Sequence, residues 1–378
     1  MIYFDNSATT QPFPEVVETL SQVMTQYFGN PSSLHALGVQ AQELLQAART
    51  QCAEVLGCQK EEVFFTSSGS EANNWAIRGT ALAKKARGQH LITTEIEHPS
   101  VRRTFEALEA AGFQVTYLPV DEAGQLDQKA LKQALTKETT LLSTIGINNE
   151  VGVVLDFAAV ADILAPYPNL HWHVDGVQSL GKVSPVLFHP RVDFVSYSAH
   201  KFNGPRGVGV LVKKRERQIQ PLIYGGGQEA GQRAATENLP GIVGTAKAMR
   251  LTLDQAEAEN KRHQDMQELI RKHYSKHRLV KILSPQAGSP HILTLALPGV
   301  RGEVLVHALE EQGIYVSTTS ACSSRQQQVA SSLLAMHVPM RIAQAAIRVS
   351  FGPQNTVAEA QKFSQSFDQL IDKFKKIL

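Results

Sequence analysis

A chain of 378 residues with 43% hydrophobic and 19% charged residues can bury a large core, divided between two domains. Its net charge of +2 offers no electrostatic footprint for nucleic acid, and the short basic run at 213–217 reads as a solvated turn. No apolar stretch approaches the ~20 residues that cross a bilayer, residues 1–6 lack the basic and apolar regions of a signal peptide, and Cys52, Cys58 and Cys322 are too few for a disulfide framework. The expectation is a cytoplasmic protein that engages neither membrane nor nucleic acid directly.

From about residue 15 to 250, apolar runs alternate with amphipathic segments. The runs fall at 62–66, 90–94, 114–118, 140–145, 171–175, 193–197 and 208–212, with helical patterns at 40–56 and 126–135. This alternation predicts an α/β fold whose large domain holds a mostly parallel seven-stranded sheet covered by helices, with ligands at the carboxyl ends of the strands. After Gly244 the pattern changes. A long polar helix over 252–277 carries an apolar stripe of Met266, Leu269, Ile270 and Tyr274. Runs at 291–297, 303–312, 314–317 and 346–351 then indicate a smaller α+β domain. The expected division is 14–250 for the large domain and 1–13 with 251–378 for the small one. Residues 318–332, rich in Ser, Thr and Gln, read as a mobile loop around Cys322.

Chemistry gathers at the predicted strand ends. The run at 192–197 leads to Lys201, flanked by Ser198 and His200, and the run at 171–174 ends on Asp175. A lysine and an aspartate delivered by neighbouring strands suit pyridoxal phosphate: the amine bonds its aldehyde, and the carboxylate keeps the pyridine nitrogen protonated so that the ring accepts electrons. Taken singly, a loop lysine is usually solvated and an aspartate at a strand end is often a helix cap. A third element shifts the balance. Residues 64–75 read as a buried strand, a Gly/Ser turn containing Gly69 and Ser70, and a helix start whose free N–H groups suit a phosphate. The plainer alternative there is a capping box from Ser68 to Glu71 with no ligand.

Cys322 occupies the most polar surroundings of the three cysteines, whereas Cys52 and Cys58 fit a helix and its end as small hydrophobes. A nucleophilic thiol needs thiolate character and access, and a flexible loop supplies access. His98 follows a strand end and precedes a proline; it is either a satisfied loop histidine or an imidazole stacked on the cofactor and able to shuttle protons. Arg348, a charge inside a strand-like run, is either an edge-strand salt bridge or a fork for an amino-acid carboxylate.

Many motifs in order make the chain resemble the cysteine desulfurases of the class V aminotransferase group. They run from Tyr3-Phe-Asp-Asn-Ser-Ala-Thr-Thr10 through Gly29-Asn-Pro-Ser32, Glu97-His98, Asn148-Asn-Glu-Val-Gly152, His173-Val-Asp175, Gly225-Gly-Gly-Gln-Glu229 and Ser320-Ala-Cys322 to Arg348-Val-Ser-Phe-Gly352. The resemblance implies that Lys201 forms a Schiff base with pyridoxal 5'-phosphate and then moves protons at the substrate Cα. It implies that Asp175 pairs with the pyridine nitrogen, Gln178 with the ring hydroxyl, and that His98 stacks on the ring. Gly69, Ser70, Ser198 and His200 would hold the phosphate, with Thr236 reaching in from the second subunit of a homodimer. Asn149 and Arg348 would take the carboxylate of L-cysteine, and Cys322 would attack its sulfur, giving L-alanine and a persulfide for a sulfur-acceptor protein. The sequence does not name that acceptor: an iron–sulfur cluster scaffold, a tRNA-thiolation enzyme and a dedicated neighbour protein all stay open, and no metal is implied.

The chain departs from the family pattern in places. Thr318 and Thr319 stand where the loop usually has glycine, Ala235 precedes Thr236 where glycine is usual, Gly176-Val177 follows the aspartate, and residues 325–330 are unlike the family loop. Two rivals stay open: an aminotransferase or other lyase on a small amino acid, for which Cys322 is dispensable, and a non-catalytic sulfur-handling scaffold.

Overall fold

The computed structural model describes residues 1–182, 189–319 and 331–375. Its strands, in chain order, are β1 (Ile2–Tyr3), β2 (Val63–Thr66), β3 (His90–Thr94), β4 (Gln114–Leu118), β5 (Thr139–Ile145), β6 (His171–Asp175), β7 (Phe194–Ser198), β8 (Gly209–Lys213), β9 (Lys281–Ile282), β10 (Ile292–Ala296), β11 (Ile314–Tyr315), β12 (Ser317–Thr318) and β13 (Ala346–Ser350). The seven strands β2 to β8 form one sheet in the order β2-β8-β7-β6-β5-β3-β4. Only β8 runs antiparallel to its neighbours, so the sheet is mostly parallel as the alternation predicts. Every residue of β2, β3, β5, β6 and β7 is buried, which is why these strands read as continuous apolar or Thr-rich runs rather than alternating ones.

The helix expected at 40–56 begins earlier, at Ala36–Leu56, because His35 caps it through Gly38 N–H; it stops at Gly57, whose φ of 67° only glycine adopts easily. The long helix differs more. It spans Leu239–Tyr274 rather than 252–277, opened by Asn238 as cap and Pro240 in its first turn. Its first turns bury Leu239, Ile242, Ala246 and Met249 in the core of the large sheet, so they lack the polar face that marks the later turns. Gly241, a breaker by composition, lets the helix approach Val208: a Cβ there would stand 2.7 Å from Val208 Cγ2.

A second sheet, ordered β12-β13-β10-β9, is antiparallel. Its core joins Leu293, Leu295, Ile347 and Val349 to Phe363 and Phe367 of the last helix, Val357–Phe374, and to Phe4. The N-terminus belongs with this sheet. β1 pairs in parallel with β11, and Phe4 stacks edge-on against Phe351 at 5.3 Å. Residues 5–10 then cross to the large sheet, where Thr10 N–H donates to the His200 carbonyl at 2.8 Å.

Both described ends of the segment expected as a loop at 318–332 are regular structure. Thr318 pairs with Ile347, and Ser331–Ala335 is helical, with Ser332 N–H donating to Glu150 and its hydroxyl accepting from Asn148. Cys322 and the rest of 320–330 lie outside the described residues.

Candidate active site

β6 and β7 are parallel neighbours with Asp175 opposite Ser196, so both chains leave the same edge of the sheet. β7 continues into a single turn, Ala199–Lys201, and this brings Lys201 to the end where β6 delivers Asp175. Lys201 Nζ donates to the Ser7 and Ala8 carbonyls at 2.5 and 2.9 Å. Gln178 Nε2 reaches the same Ser7 carbonyl at 2.9 Å. Asp175 is 2% exposed. Both of its oxygens accept from uncharged donors, the Val177 amide at 3.1 Å and Asn73 Nδ2 at 2.8 Å. A buried carboxylate held by neutral donors suits a cationic ring nitrogen.

His98 caps the helix Pro99–Ala110, its Nδ1 accepting from Ser100 N–H at 3.1 Å. Burial holds its imidazole below the usual range; Asp175 opposes that shift and Lys201 adds to it. His200 contacts Thr9 Oγ1 at 3.1 Å through Nδ1. Burial, helped by Lys201 and Arg206, lowers it to about 4, so it is neutral at neutral pH.

At the start of the helix Gly69–Lys84, Ser68 Oγ accepts from Glu71 N–H at 3.2 Å. Only that half of the expected capping box forms. The Glu71 carboxylate turns instead to Ser67 and to the Arg233 fork, at 2.6 and 2.9 Å. The first N–H groups of a helix have no partner within it, and with Glu71 capped, those of Gly69 and Ser70 remain for an anion. A Cβ on Gly69 would meet Val177 Cγ2 at 2.7 Å and Ser198 Cβ at 3.1 Å, so glycine keeps this cradle open beside the end of β7. Thr236 is exposed on the segment that follows Arg233.

Arg348 is 3% exposed and lies on β13 between β12 and β10, so it is not on an edge strand. Nη2 pairs with Asp5 Oδ1 at 3.0 Å, and Nη1 donates at 2.8 Å to the backbone carbonyl of Asn149. Nε has no hydrogen-bond partner among the described residues. Burial raises the Asp5 carboxyl above its ordinary value while Arg348 and Lys201 pull it down. Ser317 pairs with Arg348 across β12 and β13, so the chain leading toward Cys322 starts beside this guanidinium.

Ser7 Oγ, Asn73 Oδ1, Glu97 Oε2 and Arg348 Nε are buried without partners among the described residues. They are four of fifteen such atoms among the described residues; Ser7 and Asn73 bond Lys201 and Asp175 directly, Glu97 precedes His98, and Arg348 pairs with Asp5. The donor set fits pyridoxal phosphate and an amino-acid carboxylate. Among the described residues no group of three or more His, Cys, Asp or Glu is placed to hold a metal ion. Asp5, Ser7, Asn73, Glu97 and Ser100 received no role from the sequence, although each stands inside or beside a motif that did.

The chain matches the family described as Aminotransferase class-V over residues 2–363. It is 51% identical over 380 residues to a protein named NifS/IcsS protein homolog from Lactobacillus delbrueckii subsp. bulgaricus, covering 100% of this chain and 99% of that protein. It is 40% identical to a protein named Cysteine desulfurase IscS from Clostridium botulinum, covering 100% of this chain and 94% of the relative. A solved structure described as a NifS-like protein superposes with a TM-score of 0.91 at 36% identity, over 98% of this chain and 99% of the other. A NifS-like protein from Rickettsia africae gives 0.87 at 30% identity, over 98% and 99%. The chain belongs to the class-V aminotransferase family.

Proposed function

We infer that this chain is a pyridoxal phosphate-dependent cysteine desulfurase that converts L-cysteine to L-alanine and carries the sulfur as a persulfide on Cys322. The delivery of Lys201 and Asp175 by adjacent parallel strands, facing the buried Arg348 guanidinium across the N-terminal segment, carries this reading. The names of the relatives support it. When bound, pyridoxal phosphate supplies an electron sink for the substrate Cα.

Lys201 would hold the cofactor and move a proton at Cα. Asp175 would pair with the ring nitrogen and Gln178 with the ring hydroxyl, and His98 would stack on the ring. Gly69, Ser70, Ser198 and His200 would hold the phosphate, joined by Thr236 from a second copy. Arg348 would take the substrate carboxylate, beside Asn149, whose backbone carbonyl its Nη1 already reaches. The Cys322 sulfur attacks the substrate sulfur; the S–S bond forms, the Cβ–S bond breaks, and protonation of the carbon leaves alanine.

The homodimer is supported by large apolar side chains left in the open, with Leu34 97%, Tyr224 74% and Phe28 72% exposed. The acceptor is a protein of iron–sulfur assembly or tRNA thiolation, and the setting is cytoplasmic; among the described residues no helix is long and apolar enough to cross a membrane. The division into 14–250 and 1–13 with 251–378 belongs to the same proposal. Lys201→Ala is expected to abolish the visible, borohydride-reducible chromophore formed with pyridoxal phosphate. A chromophore that survives the substitution would refute the assignment.

A further inference from the structure

Asp175 and His98 are joined through two residues that the functional reading leaves without a role. Asn73, buried on the helix Gly69–Lys84, points Nδ2 at Asp175 Oδ2 (2.8 Å) and at Ser100 Oγ (2.9 Å). The amide must be turned this way, because its oxygen in that place would set two acceptors against each other. Ser100 Oγ stands 2.8 Å from His98 Nδ1, and Ser100 N–H donates to the same nitrogen at 3.1 Å. A ring nitrogen that accepts a backbone N–H carries no proton of its own. The Ser100 hydroxyl therefore donates to Nδ1 and accepts from Asn73. Asn73 thus donates both ways, to the carboxylate and into the hydroxyl, and Ser100 passes the donor sense on to the imidazole.

We propose that Asn73 and Ser100 are positioning residues that lock the Asp175 carboxylate and fix His98 as the tautomer protonated on Nε2. His98 then presents an N–H donor, not a free base, to whatever lies on its open side. Its Nδ1 lone pair is taken by Ser100, and its Nε2 already bears a proton. Proton transfer at Cα accordingly falls to Lys201, and the proton-shuttle alternative for His98 loses its lone pair. Burial, which disfavours the imidazolium, acts in the same direction.

The proposal rests on the reading of Asp175 and His98 as neighbours of pyridoxal phosphate, and the test separates the two. Two-bond proton–nitrogen spectra of the histidine-labelled, pyridoxal phosphate-loaded protein, with His98→Asn identifying the signal, should show a bare Nδ1 and a protonated Nε2 throughout pH 6–8. A protonated Nδ1 or an imidazolium in that range overturns the tautomer assignment. Asn73→Ala should weaken pyridoxal phosphate binding about tenfold or more, the loss expected for one hydrogen bond to a charged group, and move the pH midpoint of the visible band. Unchanged affinity and midpoint overturn the positioning role. Should Asn73→Ala not fold, Ser100→Ala, which removes one half-buried hydroxyl, must still move the His98 Nδ1 signal; an unmoved signal is contrary to the proposal. A wild-type protein that takes up no pyridoxal phosphate sinks the functional reading and the proposal together, whereas a normal wild type with unresponsive variants sinks the proposal alone.

Discussion

Glu97, one residue before His98, is a buried acid that the chemistry of the site does not use. Its Oε1 accepts from Thr94 Oγ1 at 2.6 Å and from Ile145 N–H at 2.8 Å, while Oε2 has no partner among the described residues. Burial pushes the carboxyl up to about 8 from 4.5, Asp175 adds to the rise, and the two hydrogen bonds oppose it. The folded chain therefore holds this proton more tightly than the unfolded chain does. Its contribution to stability is fully present below about pH 4.5 and is lost as pH rises through about 8. Glu97→Gln should remove that fall. Urea unfolding of both proteins from pH 5 to 8.5 measures it, and parallel pH profiles would show that Glu97 is ionised in the fold. Neither this acid nor the Asn73–Ser100 pair was legible from the sequence, because each depends on contacts between separate elements: Asn73 joins the helix of Ser100 to Asp175 at the end of β6, and Glu97 meets Ile145 of β5. Lys201 and Asp175 were legible because the apolar runs before them already mark the strand ends.

At the scale of elements, the segment 225–236 is tied down at two points. The Arg49 fork grips Glu229 at 2.8 and 2.8 Å, and Glu229 also accepts from Phe65 N–H of β2 at 3.0 Å. Arg233 forks onto Glu71 near the Gly69 turn. These ties hold an unfavourable backbone, for Glu229 and Ala230 take φ values of 48° and 56° without being glycine. They also orient the stretch from which Thr236 projects. Glu229→Ala strands the Arg49 charge, whose side chain is 11% exposed, and should cost about 3–5 kcal/mol of unfolding free energy. A loss below about 1 kcal/mol in denaturant titrations would mean that the pair is not what holds the segment. The elements best read from the sequence were the seven strands of the large sheet, five of them buried along their whole length. The start of the helix Leu239–Tyr274 was missed, since a buried face and two early glycines conceal the helical period.

Across the whole molecule, residues 5–10 tie the second sheet to the lysine end of the large one. Asp5 reaches Arg348, Ser7 receives both Lys201 and Gln178, and Thr10 reaches His200. The motif at 3–10 marks this stretch, but a linear reading could not show that it joins Lys201 and Gln178 to Arg348. The same arrangement predicts one substrate whose amine and carboxylate lie between Lys201 and Arg348, with the Cys322 segment leaving from Ser317 beside them. The most direct measurement is the yield of alanine and sulfide from L-cysteine with the pyridoxal phosphate-loaded protein and a thiol reductant, run beside Cys322→Ala. Equal amounts of alanine and sulfide are expected, with a Cys322→Ala protein that still binds pyridoxal phosphate yet releases almost no sulfide. Wild-type protein that forms no alanine, or a Cys322→Ala protein that turns over at the wild-type rate, would contradict desulfuration through a persulfide on this chain.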